Sequence, residues 1–278
     1  MAGNKAAIKS RIKSVNATKK ITGAMELIAT VKLQKNRNVM LENKTYTNAI
    51  KETVVQMLDG DTTIENEYLK AKDAPLKLYF VVASDMGLCG GYNINLIKEF
   101  NKIVDKKDIV YYFGTKNYQI LKDAGFNIQN KMIGSDEIDY LYLEKYSKQA
   151  INLFKENKIS SISVVYTEFI NNVSFKPTID VVLPCKVEKS NKPHKEVLFE
   201  PSSEEILNDL IPMMVESEIY ARYLEAKTSE HGSRRFAMQN ATDNANELTD
   251  ELLLAYNQAR QAAITSEITE IVAGADAL

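Results

Sequence analysis

Cysteine and histidine are scarce in this 278-residue chain, with two of each. Cys89 and Cys185 lie far apart in sequence, and His194 and His231 stand alone, so neither a disulfide framework nor a metal cluster is indicated. A reducing cytoplasm fits. No apolar run approaches the roughly 18 residues that cross a bilayer, and the opening "MAGNKAAIKSRIKSV" lacks the apolar core of a secretory signal. Any membrane role is expected to be indirect. Proline is missing from residues 4 to 59, which contain a single glycine, Gly23, and is missing again from Met213 to Ala273. What remains is the composition of a soluble, folded chain, 45% hydrophobic, with a long unbroken stretch at each end.

The stretch before residue 60 has apolar residues at helical spacing: Ile8, Ile12, Val15, then Ile21, Met25 and Ile28. It is expected to form one helix over residues 1–59, with that stripe as the core of a pair. At 1.5 Å per residue such a helix reaches roughly 80 Å and needs a partner along its length. The C-terminal stretch, residues 205–278, supplies one. Ser202 stands three residues before Glu205, the spacing of a capping box, and Pro212 is expected to kink or restart the helix. Beyond it Ala245, Leu248, Leu252, Tyr256, Ala259 and Ala263, then Ile264, Ile268 and Ile271, follow a nearly alternating 3-and-4 spacing, a coiled-coil seam. Charge agrees with the pairing. Residues 1–40 carry nine Lys and Arg against one acid, a net of +8, whereas residues 204–278 carry five against fourteen, a net of −9.

Between the helices, residues 75–200 alternate short β-branched and aromatic runs with helical patterns. Strands are expected near 78–83, 109–113 and 161–169 and helices near 94–106, 116–124 and 137–157, with "KPTIDVVLPC" as a further strand running into a loop. The fold class is therefore α/β: a long coiled coil of the terminal helices plus a small α/β domain with a largely parallel sheet.

One short stretch invites a chemical reading. "SDMGLCGGYN", residues 84–93, lies between the first strand and a helix, where phosphate-binding loops sit. Gly87, Gly90 and Gly91 match neither the dinucleotide nor the P-loop spacing, so a structural turn requiring positive φ is favoured over a phosphate cradle. Cys89 has no histidine near it in sequence, which favours a small buried side chain over a catalytic thiol. The basic "KSRIKSVNATKK" could grip nucleic-acid phosphate, although it has no interleaved aromatics and reads more simply as a solvated helix face. An α/β enzyme with its ligand at the glycine turn and a nucleic-acid-binding arm are thus the alternatives to an interaction protein.

Three stretches together resemble the gamma subunit of the F-type ATP synthases: "IKSVNATKKITGAMELIATVKL" (12–33), "SDMGLCGGYNINL" (84–96), and "FAMQNATDNANEL" through "YNQARQAAITSEITEIVAGA" (236–275). The resemblance implies that residues 1–59 and 205–278 pair as a long antiparallel coiled coil beside a small Rossmann-like α/β domain, and that the chain is a non-catalytic central shaft, one copy per complex. It couples ion flow, of hydrogen ions in the proton-transporting type, through a membrane rotor ring to ATP synthesis by rotation. Its implied partners are three alpha and three beta subunits, an epsilon subunit and the membrane c-ring. The chain itself would bind no cofactor, since nucleotide and magnesium sit on the partner catalytic subunits, and its place would be the cytoplasmic face of a bacterial cell membrane. Arg234 and Gln261 align with positions that hydrogen-bond an acidic catch loop of the catalytic subunit, with Thr265 and Glu270 nearby, while Met25, Lys19 and Lys20 would face that subunit's acidic lever region. Gly23 departs from the family, which usually has a long side chain there.

Overall fold

The computed structural model describes residues 2–60, 66–185 and 202–276. In chain order the elements are α1 (Ala2–Gly60), β1 (Leu76–Val82), α2 (Tyr92–Ile103), β2 (Ile109–Phe113), α3 (Tyr118–Asp123), β3 (Asn127–Ile128), a 3-10 turn (Ser135–Glu137), α4 (Tyr140–Lys155), β4 (Ile159–Phe169), β5 (Phe175–Leu183) and α5 (Ser203–Asp276). The chain forms two compact units, residues 30–233 and residues 1–29 with 234–278, so the division falls inside the long helices rather than at their junctions with the sheet. The end of the expected α/β domain, after residue 185, and His194 lie outside the described residues.

In the unit of residues 30–233 the sheet order is β3-β2-β1-β4-β5. The pairs β1–β2, β1–β4 and β2–β3 are parallel, and β4–β5 is an antiparallel hairpin. β1 has neighbours on both sides and helices on both faces, which is why "LKLYFVV" reads as a continuous apolar run instead of alternating. Its even-numbered residues Leu78, Phe80 and Val82 pack with Phe113, Val164, α4 (Leu143, Ile151, Phe154), α1 (Ile50, Val54, Met57) and α5 (Leu207, Ile211, Val215, Ile219). Its odd-numbered Tyr79 and Val81 face the other way, onto α2 (Leu96, Phe100) and α3 (Tyr118, Leu121). Edge-on ring contacts, such as Phe80 with Tyr111 at 5.4 Å, add about 0.5–1.5 kcal/mol each beyond area burial. Pro177 is tolerated because β5 is an edge strand.

Helix ends follow local chemistry. Asp139 accepts the Tyr142 amide at 2.8 Å and sets the start of α4 at Tyr140, later than the expected 137. Ser202 Oγ accepts the Glu205 amide at 3.2 Å, as the capping-box spacing anticipated. Of the kink or restart expected at Pro212, a restart is not found, for α5 is one helix through it. Proline there forfeits one backbone hydrogen bond, while buried Leu207, Ile211, Met214 and Val215 hold both flanks on the sheet. Gly232 brings α5 close to the hairpin: a Cβ there would stand 2.7 Å from the Phe175 ring.

The second unit consists of the ends of α1 and α5 alone. Along α1 the inward residues are Ile8, Ile12, Val15, Lys19, Thr22, Glu26 and Ala29, a strict 4-3 alternation. The expected core of Ile21, Met25 and Ile28 is therefore corrected: Ile21 and Ile28 are 61% and 58% exposed, and Met25 is half-buried. The seam continues through Lys19, Thr22 and Glu26, and Thr242 Oγ1 donates to Thr22 Oγ1 at 2.8 Å across it. On α5 Ala245 is buried and Leu248, Leu252, Tyr256, Ala259 and Ala263 are half-buried, as expected of a seam. Ile264, Ile268 and Ile271 are not part of it, being 47%, 56% and 72% exposed.

Gly23 lies in the helix with open space where a Cβ would stand. Gly23→Ala is therefore expected to stabilise the helical pair by roughly 0.5–1 kcal/mol through reduced backbone entropy. The check is the unfolding midpoint by circular dichroism, and an unchanged or lower midpoint contradicts the expectation.

Candidate functional site

In a parallel sheet the loops after the strands define a crevice, and ligands bind where neighbouring connections diverge. Here that point lies at the end of β1, between β2 and β4, and the glycine turn is its loop. Three loops meet there: 83–91, 114–117 and 133–138. Gly114, with φ of 119°, lies so close to β1 that a Cβ would stand 2.7 Å from the Ala83 carbonyl oxygen. Its amide donates to the Ile133 carbonyl at 3.1 Å.

The crevice is occupied by the chain itself. From α5, Ser233 Oγ donates to the Cys89 carbonyl at 2.7 Å, and Tyr223 Oη donates to the carbonyls of Ser135 and Ile138 at 2.7 and 3.1 Å. From the start of α2, Tyr92 Oη reaches back to the Ala226 carbonyl at 3.2 Å. Within the turn, Asn93 Nδ2 donates to Ser84 Oγ at 2.7 Å and to Cys89 Sγ at 3.3 Å. Cys89 is 2% exposed, a packed side chain. Positive φ occurs at Gly90 (57°) and also at Leu88 (60°), but not at Gly87 or Gly91. The expectation that the glycines share that requirement thus holds for Gly90 alone. A Cβ at Gly91 would meet only the movable Asn95 side chain, and one at Gly87 nothing. Met86 and Leu88 point outward, 61% and 59% exposed.

Asp85, inside the same motif, ties the three loops together. Its carboxylate accepts from the amides of Thr115 (3.1 Å), Ser135 (2.8 Å) and Asp136 (3.2 Å) and from Ser135 Oγ (3.0 Å). Beside it lies an ionic cluster that the sequence reading missed. Lys227 Nζ stands 2.8 Å from Ser135 Oγ, 2.8 Å from Glu230 Oε2 and 2.6 Å from Asp136 Oδ1, and Lys32 Nζ of α1 stands 2.7 Å from Asp136 Oδ2. Burial opposes the charge on Lys227, but Glu230 and Asp136 outweigh it and hold the ammonium above its ordinary range. Burial likewise opposes ionisation of Asp136, yet the two lysines hold its carboxyl below the usual carboxylate range. The lysine-to-glutamate spacing of three was the available signal, and it is too common to point here.

A second cleft of about 170 Å³ opens between α1, β5 and α5, lined in part by Lys51, Asp180, Cys185, Glu218 and Arg222. Its charges are already matched, Arg222 to Asp180 at 2.6 Å and Lys51 to Glu218 at 3.3 Å. Burial pushes the Cys185 thiol up to about 12. Among the described residues no three His, Cys, Asp or Glu side chains gather as a metal site would require.

The remaining sequence-derived residues lie on the ends of the helices. Lys20, Gln261, Thr265 and Glu270 are exposed, and Lys19 and Met25 are half-buried. Arg234 is not a surface arginine, being only 8% exposed. Thr265 Oγ1 donates to the Gln261 carbonyl at 3.0 Å, and Ser266 Oγ to Glu270 Oε1 at 3.4 Å. An outward apolar stripe on α1, Ile21, Leu27 and Ile28, 58–67% exposed, lies opposite the seam.

Removing the Asp85 carboxylate strands three amides and a hydroxyl. Asp85→Ala is expected to cost about 2–3 kcal/mol of stability, and Asp85→Asn less, because the amide keeps an acceptor oxygen. Urea unfolding measures both, and equal midpoints for Asp85→Ala and the parent chain contradict the assignment.

Comparison with known proteins places this architecture. The family profile described as ATP synthase matches residues 4–278. The ATP synthase gamma chain of Clostridium kluyveri is 38% identical over 275 residues, covering 98% of this chain and 97% of that one. Those of Alkaliphilus metalliredigens and Mycoplasmopsis synoviae are 36% and 39% identical over 281 residues, covering 98% and 97% of this chain and 97% of each relative. Among solved structures, a chain of the Euglena gracilis mitochondrial ATP synthase rotor superposes with a TM-score of 0.62 at 16% identity, covering 95% of this chain and 100% of that chain. A chain of the Tetrahymena thermophila mitochondrial central stalk and c-ring gives 0.58 at 18% identity, covering 80% of this chain and 99% of that chain.

Proposed function

This chain belongs to the gamma-subunit family of the ATP synthases, and from that premise we infer that it is the central rotor shaft of such a complex, carrying no catalytic site of its own. The observation that carries the reading is the unit built from helix ends alone, which buries one seam and leaves an apolar stripe facing outward. A surface of that kind needs a sleeve of partner subunits.

The mechanism follows from shape and contact. Ion flow turns a membrane ring, the α/β domain carries the rotation to the helices, and the helices present different faces in turn to three catalytic sites on the beta subunits. Moving a site from mostly open to mostly closed takes about 5.5 kcal/mol of differential interaction. Torque is thus transmitted as state-dependent contact. The partners are three alpha and three beta subunits, epsilon and the c-ring, around one copy of this chain. Nucleotide and magnesium bind to the partners, and the crevice filled by α5 supports this, because the usual place for a phosphate in such a sheet is taken up by Tyr223 to Ser233. No helix among the described residues is long and apolar enough to cross a membrane. The chain is a peripheral part of a membrane-bound complex, at the cytoplasmic face of a bacterial cell membrane.

In this reading Gln261 hydrogen-bonds an acidic loop of the catalytic subunit, Thr265 and Glu270 lie beside that contact, and Met25, Lys19 and Lys20 meet the subunit's lever region. Arg234 contributes to the same region, but its burial gives it a second role in the chain's own packing. Arg234→Ala is therefore expected to lower both the stability of the isolated chain and ATP synthesis by the complex. Gln261→Ala and Thr265→Ala should leave the isolated chain's melting unchanged and weaken the complex by about 0.5–1.5 kcal/mol each, the size of one hydrogen bond. Melting by circular dichroism and ATP synthesis by energised vesicles separate the two classes, and normal synthesis by both surface variants contradicts the contact assignment. Calorimetric titration of the isolated chain with Mg-ATP is expected to show no specific binding. A micromolar dissociation constant overturns the non-catalytic reading.

A further inference from the structure

Within the unit of residues 30–233, the sheet meets α1 and α5 through a largely apolar face. Apolar contact is non-directional, so it resists separation more than it resists sliding. Hydrogen bonds and ion pairs with defined geometry resist sliding. Several cross this boundary to α5 alone: Arg222 to Asp180, Glu225 Oε1 accepting the Phe169 amide at 3.1 Å, and Ser233 to the Cys89 carbonyl. Asp136 differs because its two oxygens are shared between the helices, Oδ1 with Lys227 of α5 and Oδ2 with Lys32 of α1. Its own position is set by Asp85, which accepts its amide and also gathers the β1 and β2 loops. Lys227 is buried, its side chain 6% exposed and its partner Glu230 4%. Two lysines pair with two carboxylates in the node, and its buried part is screened little by salt.

We propose that Lys227 is a positioning residue for rotary coupling: with Lys32 it clamps the Asp136 loop to both helices and fixes the angle of the α/β domain about them under load. The proposal rests on the rotor-shaft reading. When the domain is pushed tangentially, the node divides the force between α1 and α5, so the helices turn together. Without Lys227, the apolar face still holds the domain in place, but the angle yields when the rotor works against a steep gradient. Unloaded turnover needs little torque and tolerates that compliance.

The test uses the whole ATP synthase, reconstituted in vesicles with the parent chain, Lys227→Met, Lys227→Arg or Lys32→Met. Three activities are compared: ATP hydrolysis with the gradient collapsed, ATP-driven proton pumping against an imposed gradient, and ATP synthesis. For Lys227→Met the expected result is unloaded hydrolysis within about twofold of the parent, with synthesis and loaded pumping reduced by about fivefold or more, and Lys227→Arg restoring more than about half of the loss. Lys32→Met removes only the partly exposed arm and should show the same split at about twofold. It keeps the question answerable if Lys227→Met does not assemble. Unchanged synthesis in the methionine variants overturns the proposal. So does a parallel fall in all three activities, which indicates a purely structural lysine. If the parent chain itself fails to support coupled synthesis with alpha, beta, epsilon and the membrane sector, the rotor-shaft reading falls instead.

Discussion

A parallel sheet leaves a crevice at the carboxyl ends of its strands, and in this chain the α5 segment from Tyr223 to Ser233 fills it. That contact determines what the glycine turn is for. The turn has the strand-to-helix setting of a phosphate loop, but the Cys89 carbonyl is engaged by Ser233 and the neighbouring loops by Tyr223 and Lys227. A fold often used to bind nucleotides is here used to grip a helix. The same grip aligns Asp85, whose carboxylate collects amides from two further loops.

The second constraint is length. A helix of 59 residues extends roughly 90 Å at 1.5 Å per residue, more than a small sheet can cover. Part of α1 and α5 packs on the sheet, and the rest is left with only the other helix. Toward the sheet that seam passes through small and polar residues, Ala29, Ala245 and the Thr22–Thr242 hydroxyl pair, and further out through Ile8, Ile12, Val15, Leu248 and Leu252. Small side chains there let the helix backbones approach, and Ile21, Leu27 and Ile28 of α1 remain on the outside. The pair thus has apolar surface on two sides, one in the seam and one facing outward.

Much of the fold was legible in the sequence because its strongest signals are local. The stretches without proline, the capping spacing of Ser202 and Glu205 and the continuous apolar run of β1 each have one simple physical reading. The errors came where tertiary context outweighs local pattern. After Val15 the hydrophobic pattern steps from the true seam to Ile21, because the seam passes through Lys19 and Thr22, which a hydrophobicity count ignores. Pro212 suggested a restart of the helix because its cost is local, whereas the burial that offsets it comes from the sheet. β3 is two residues long and carries no period. Of the candidate site, the outward Gln261, Thr265 and Glu270 came from resemblance alone. The Lys227 cluster joins residues up to 195 positions apart, Lys32 to Lys227, and no local spacing announces such a node.

The order of elements along the chain has a consequence for biogenesis. α5 follows every strand of the sheet, yet Leu207, Ile211, Val215 and Ile219 form part of the sheet's buried face and Tyr223 to Ser233 close its crevice. A ribosome releases the N-terminal segment first, at about 5–20 residues per second. For several seconds, then, a nascent chain with all its strands made still lacks the α5 part of one apolar face and the closure of the crevice. Native closure joins the earliest and latest segments synthesised, a high contact order that slows folding. The sheet domain must therefore complete its fold only after α5 has been translated.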